Sequence, residues 1–177
     1  VALAALEAGL DVYLEKCAST TLEDIKLLRR GVRKHERVLQ MGHQTRQDQI
    51  HKVAREIVKR GELGQIHMVQ CYLNRGGPTA GWVRKIAENG GPDRSKVHWK
   101  EFLGPAPERS YDVRRFFEWR RYWDYSTGIS GDLFSHALDA MVIVLDIGIP
   151  ESVVSSGGIY HWRDGRETPD VYTTVLE

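Results

Sequence analysis

The sequence predicts an α/β fold, and three observations carry the prediction. Two short apolar runs, Asp11-Val12-Tyr13-Leu14 and Arg37-Val38-Leu39-Gln40-Met41, flank one helical segment. Strands separated by a helix of that length form parallel βαβ units. Two later runs, from Ser152 to Tyr160 and from Asp170 to Leu176, read as strands of a second sheet. The polar turn Arg163-Asp164-Gly165-Arg166 joins them.

The elements follow in order. Leu3, Leu6 and Leu10 recur at helical spacing, and Gly9 stops that helix. The strand Asp11 to Leu14 ends at Glu15-Lys16. Ser19-Thr20-Thr21 then precedes a helix with Glu23 and Asp24 in its first turn, a capped and charge-complemented start. That helix is expected to close near Gly31. The next strand ends at Gly42-His43-Gln44. Ligands of parallel sheets sit beyond the carboxyl ends of strands, where Lys16 and His43 both fall. From Gln47 to Arg60, Ile50, Val53, Ala54, Ile57 and Val58 share one helical face, and Gly61 stops the helix. Ile66 to Leu73 reads as a long strand. Gly76 to about Gly104 reads as loop, with one helical turn at Trp99 to Gly104. A dense aromatic stretch, Phe116 to Tyr125, precedes a helix opening at Ser130-Gly131-Asp132 and running through Leu145.

Composition narrows the function classes. The 177 residues are 41% hydrophobic and 28% charged, as in globular proteins. A net charge of +1 gives no electrostatic case for nucleic acid or an anionic membrane. No apolar run approaches the roughly 20 residues of a membrane span. Cys17 and Cys71 lie far apart and form no metal spacing, so reduced thiols are expected. Both ends of the chain fall inside regular patterns, so a piece of a longer protein is expected. No signal peptide is visible, and the cytoplasm is the default compartment.

The chemistry concentrates in two places. Asp132 and His136 are four apart, so a helix sets them on one face. A carboxylate beside an imidazole orients it and raises its basicity. Spacing alone equally allows a helix-start acid and a packed histidine. Asp139 extends the face by a turn, yet no further ligand stands at metal spacing, and no metal is expected. Lys16 ends an apolar strand, as a solvated lysine or as a group for a hydroxyl or carbonyl substrate. Cys17 beside it is a lowered-pKa thiol or a small turn residue. His43 and Arg46 are ligand contacts at a strand end or ordinary loop polars. Trp119 to Tyr125 stack on a ligand or pack a loop.

With these residues in view, the chain resembles the glucose–fructose oxidoreductase / inositol dehydrogenase / MocA-like (Gfo/Idh/MocA) family. Ala5 to Lys16 is similar to the family's AGKHVxxEKP segment, and Leu39 to Arg46 to the strand and loop that follow it. Gly61-Glu62-Leu63-Gly64-Gln65-Ile66 resembles the GxLGxI opening of the second domain. Trp119-Arg120, Gly131-Asp132, His136 and Asp139 resemble its W-R … G-D-x-x-x-H-x-x-D pattern, and Arg166 to Asp170 a late turn.

The resemblance implies the C-terminal part of a Rossmann domain, residues 1–46, followed by an α+β substrate domain, residues 47–177, with an open, mainly antiparallel sheet. It implies an NAD(P)-dependent oxidoreductase that transfers hydride between the nicotinamide of NAD or NADP and a sugar- or cyclitol-like substrate. By position, Lys16 would hold the reacting hydroxyl, His136 would be the general acid/base and Asp132 would orient it. Glu15 would help place the nicotinamide, and Gln44, Trp119 and Arg120 are further contact candidates. A homo-oligomer through the substrate-domain sheet is implied, with Ile66 to Leu73 and Val171 to Leu176 as candidate elements. Rival readings are an NAD-dependent glycoside hydrolase of the same family type and a non-catalytic sugar-binding relic. In one departure, Cys17 stands where the family usually has proline, which would leave Lys16 less rigidly aimed. In another, the glycine-rich phosphate loop is not among these residues and is expected upstream of Val1, so NAD and NADP are not separable.

Overall fold

The structure, a computed structural model, describes residues 1–77, 79–86, 91 and 93–177. It divides into two units, Val1–Tyr72 with Gly131–Ile149, and Leu73–Ser130 with Pro150–Glu177. Of the loop expected from Gly76 to Gly104, positions 78, 87–90 and 92 lie outside the described residues.

The first unit is built on a βαβ crossover. Helix α1 (Ala2–Glu7) ends ahead of Gly9, whose φ of +80° suits a residue without Cβ. Strand β1 (Val12–Glu15) pairs in parallel with β2 (Leu39–Gly42), Val12 facing Leu39 and Glu15 facing Gly42. The Asp11 carboxylate accepts the Val38 N–H at 2.9 Å and ties the starts of the two strands together. Helix α2 (Leu22–His35) makes the crossover. The Thr21 hydroxyl caps it by accepting the Asp24 N–H at 3.2 Å. Its last turn carries Arg33, Lys34 and His35, which suit the negative end of the helix dipole.

The expected stop at Gly31 is wrong. The helix continues to His35 and closes on Glu36 in the left-handed conformation, φ 52°. Gly31 is buried inside it because α1 packs there: a Cβ would lie 2.5 Å from Leu3 Cδ1 and 3.5 Å from Leu6 Cδ1. The glycine is an interhelical contact, not a terminator.

A 3₁₀ turn (Gln44–Gln47) follows β2, then α3 (Gln49–Lys59), capped by the Asp48 carboxylate accepting the Ile50 N–H at 3.2 Å. Gly61 beyond it takes φ +70°. The strand expected over Ile66 to Leu73 is not formed: the segment has no ladder partner among the described residues, and a strand exists only through pairing. The helix expected from Ser130 opens instead as a π-helical turn (Ser130–Phe134) before continuing as α6 (Ser135–Leu145). Arg55 of α3 pairs at 2.9 Å with Asp146, the left-handed residue that ends α6.

In the second unit, α4 (Trp99–Leu103) and α5 (Val113–Phe117) bring Trp99, Phe102, Phe116 and Tyr125 together, with ring centroids 5.0 to 5.3 Å apart in the successive contacts. Phe116 and Tyr125 of the aromatic stretch therefore pack against Phe102 of α4. Arg121 is buried, paired with Glu118 and, at 2.8 Å, with Asp164. Arg166 is buried too and donates to the Gly81 carbonyl at 3.0 Å. Burying two guanidiniums is tolerable only because carboxylates and carbonyls meet them. The two late strands are β3 (Val153–Gly158) and β4 (Val171–Leu176), antiparallel, Val154 facing Val175. Asp170 closes their connection by accepting the N–H groups of Tyr160, His161 and Trp162 at 2.8 to 2.9 Å.

Candidate active site

Lys16 follows the last residue of β1, and its ammonium is pinned. It lies 2.9 Å from Asp132 Oδ1, 3.5 Å from the Gly131 carbonyl, and also donates to the Asp132 carbonyl. The two side chains are 12% and 17% exposed. Residues 116 apart in sequence thus form one ion pair. The Lys16–Cys17 peptide is cis, and Cys17 Sγ lies 2.8 Å from the Gly131 carbonyl it donates to. The looser aim expected from Cys17 in place of proline is not what the structure shows: three oxygens fix the ammonium.

Asp132 lies within the π-helical turn that precedes α6. The carboxylate meets Lys16, and its effect at His136 is that of a nearby negative charge.

His136 stands one residue into α6. The His43 ring, just past β2, meets it edge-on, with centroids 5.6 Å apart and an interplanar angle of 80°. Nδ1 of both rings is buried without a hydrogen-bond partner, as is Asp139 Oδ2. Asp139, one turn along α6, pairs through Oδ1 with Arg46. Burial holds the His136 pKa below 6.5, and the positive charge of Lys16 and the proximity of His43 push the same way. Asp132 and Asp139 oppose them and do not prevail. At neutral pH the ring is therefore a neutral imidazole able to take a proton.

A groove of about 550 Å³ lies beside these groups. Lys16, Cys17 and His43 line it with the apolar side chains of Leu28, Val32 and Met41. Glu15 ends β1 opposite Gly42, with Glu15 Cα only 3.1 Å from where a Gly42 Cβ would stand. Gln44 is exposed at the start of the 3₁₀ turn. Trp119 and Arg120 belong to the second unit, where the Arg120 guanidinium lies 4.1 Å from the Trp119 ring centroid. Among the described residues, no group of His, Cys, Asp and Glu is arranged to hold a metal ion. No helix among them is long and apolar enough to cross a membrane.

Sequence reasoning named every side chain of this cluster but not its pairings. Spacing pointed from Asp132 to His136, and the structure adds contacts of Asp132 with Lys16, Asp139 with Arg46 and His136 with His43. Partners from distant segments leave no periodic signal. The carbonyls of Gly131 and Asp132, which accept from Lys16, carry no sequence signal at all.

No curated protein is a significant match to the chain. An inositol dehydrogenase homolog from Azotobacter vinelandii, complexed with NADH and myo-inositol, superposes with a TM-score of 0.68 at 24% identity over 99% of this chain and 37% of its own. The WlbA dehydrogenase from Bordetella pertussis, in complex with NADH and UDP-GlcNAcA, gives 0.64 at 21% identity over 99% and 43%. An oxidoreductase from Pseudomonas syringae gives 0.62 at 22% identity over 99% and 36%. At such identities the likeness speaks for the fold, and the chain spans 36% to 43% of these structures' length. The family model for the C-terminal alpha/beta domain of the oxidoreductase family matches residues 49–154, more than half of the chain. The chain therefore belongs to the Gfo/Idh/MocA oxidoreductase family, with a parallel βαβ end preceding its α/β domain.

Proposed function

We propose that this chain carries the proton-handling site of an NAD(P)-dependent oxidoreductase acting on a sugar- or cyclitol-like hydroxyl or carbonyl. Residues 1–46 would end the dinucleotide-binding domain, and residues 47–177 would form the substrate domain. The observation that carries the reading is the 2.9 Å Lys16–Asp132 pair with a neutral His136 beside it.

The residues present fit the nicotinamide end of a dinucleotide. Lys16 and Glu15 stand at the carboxyl ends of parallel strands, where such ligands bind, and the His136 ring has a buried nitrogen without a partner. The nicotinamide, when bound, exchanges a hydride with the substrate carbon. The chain's own groups do the rest. Asp132 holds Lys16 in place, and Lys16 positions the substrate oxygen and stabilises negative charge on it. In the oxidising direction His136 takes the hydroxyl proton as the C–H bonding pair leaves as hydride; in reverse it returns the proton. NADH, myo-inositol and UDP-GlcNAcA beside the neighbours support this class of cofactor and substrate. Glu15 and Gln44 are proposed contacts on the same grounds of position, and Trp119 and Arg120 on the family resemblance alone.

A homo-oligomer through the β3–β4 sheet is part of the proposal. Val154 and Val175 face each other on that sheet, 69% and 65% exposed, and the neighbouring Val171 is exposed as well. An uncovered valine stripe of this kind suits a protein contact.

The test is turnover of nicotinamide with a panel of polyols and sugars by the protein and by Lys16→Met and His136→Ala. We expect losses of about 10² to 10⁴ in kcat for His136→Ala with a much smaller change in sugar binding. Equal small losses in both quantities would contradict a catalytic role.

A further inference from the structure

His43 has no part in the mechanism above, yet it is the ring in contact with His136. The contact is edge-on at 5.6 Å, and each ring buries an Nδ1 that meets no acceptor or donor. Two rings from different elements, one after β2 and one on α6, restrict each other's rotation. Among the described residues neither Nδ1 has a backbone carbonyl or carboxylate to fix the tautomer, the usual device. His51 shows that device nearby, donating Nδ1–H to the Thr45 carbonyl at 2.9 Å.

Resting on the proposed role of His136 as acid/base, we propose that His43 is the positioning residue of the site: its ring fixes the plane of the His136 imidazole and sets the charge state in which it works.

The groups facing His136 make the assignment specific. Lys16 comes from the end of β1 and is neutralised by Asp132; Arg46 follows β2 and is neutralised by Asp139. From α3, which packs on α6, Arg55 is paired with Asp146, and His51 is held by Thr45. Both neighbouring cations on the strand ends thus have carboxylates, whereas the His43 ring meets the His136 ring itself. The His43 ring is therefore the neighbour of His136 that acts on it by direct ring contact. The lowered pKa of His136, to which His43 contributes, agrees with this.

The experiment is a ¹⁵N and ¹³C NMR titration of histidine-labelled protein, with His136 assigned from the His136→Gln spectrum. His43→Phe keeps an aromatic edge against His136 and removes the charge; His43→Gln removes the ring. In the wild type, His136 should titrate below a free imidazole and hold one tautomer. In His43→Phe its proton affinity should rise, because His43 is one of the groups that oppose protonation of His136, and the acid limb of kcat/KM should move up with it. In His43→Gln the tautomer preference should also be lost. A wild-type His136 that titrates at or above free imidazole overturns the proposal without any variant. So does an unchanged His136 titration in both variants. The NMR readout needs no turnover, so it is separable from the acid/base reading: His136→Ala leaving turnover intact while the two rings remain coupled sinks that reading alone.

Discussion

Removing the carboxylate of Asp132 should cost the protein both stability and the aim of Lys16. At an effective dielectric of about 20, unit charges 2.9 Å apart attract by about 6 kcal/mol. Desolvating both groups offsets much of this, and since the side chains remain 12% and 17% exposed the pair lies between the surface and buried cases. A net coupling of about 2 kcal/mol is expected. Asp132→Asn, Lys16→Met and the double variant form a cycle that separates this term from the other contacts of either residue. Denaturant unfolding monitored by tryptophan fluorescence gives the three free-energy differences. A coupling of about 1 to 3 kcal/mol supports the pair as described. A coupling within about 0.5 kcal/mol of zero, the usual scatter for independent sites, would refute it.

Other outcomes follow from the same structure. Asp170→Asn should destabilise the protein by about 1 to 2 kcal/mol, because one carboxylate satisfies three backbone N–H groups. Although burial pushes the Asp170 carboxyl up, those N–H groups together hold its pKa below 3.8; its stabilisation is present above 3.8 and lost as pH falls through the lower folded value, so acid unfolding of the wild type should be steeper than that of the variant. For His136 the folded pKa lies below 6.5, so its neutral form adds stability fully above 6.5 and loses it as pH falls through the folded value; the acid limb of kcat/KM should likewise lie below 6.5. Gly42→Ala should lower kcat more than it lowers Tm, since its Cβ must displace the Glu15 backbone immediately before Lys16. Val175→Lys should reduce the oligomer seen by sedimentation while leaving the circular dichroism of the protein unchanged.

What was legible in the sequence was what local chemistry dictates. The cap at Thr21, the glycines at Gly9 and Gly61 and the apolar runs around Val12 and Leu39 mark elements through interactions a few residues long. The misread features depend on distant partners. Gly31 looks like a stop until Leu3 and Leu6 arrive against it. Ile66 to Leu73 looks like a strand, yet pairing decides strands and no described segment pairs with it. The widened turn at Ser130–Phe134 has no composition of its own, and the Lys16–Asp132 pair beside it joins residues 116 apart. The site's membership was therefore readable, and its wiring was not.

The most direct test of the central account follows the hydride. The protein would be given NAD, or NADP, and the polyol or sugar of the panel that it turns over, deuterated on its hydroxyl-bearing carbons, and the reduced nicotinamide examined by NMR and mass spectrometry. The account predicts deuterium on the nicotinamide ring, one per ketone formed, with the rate collapsing in His136→Ala. Deuterium released to solvent, or nicotinamide reduction indifferent to both Lys16→Met and His136→Ala, would contradict it.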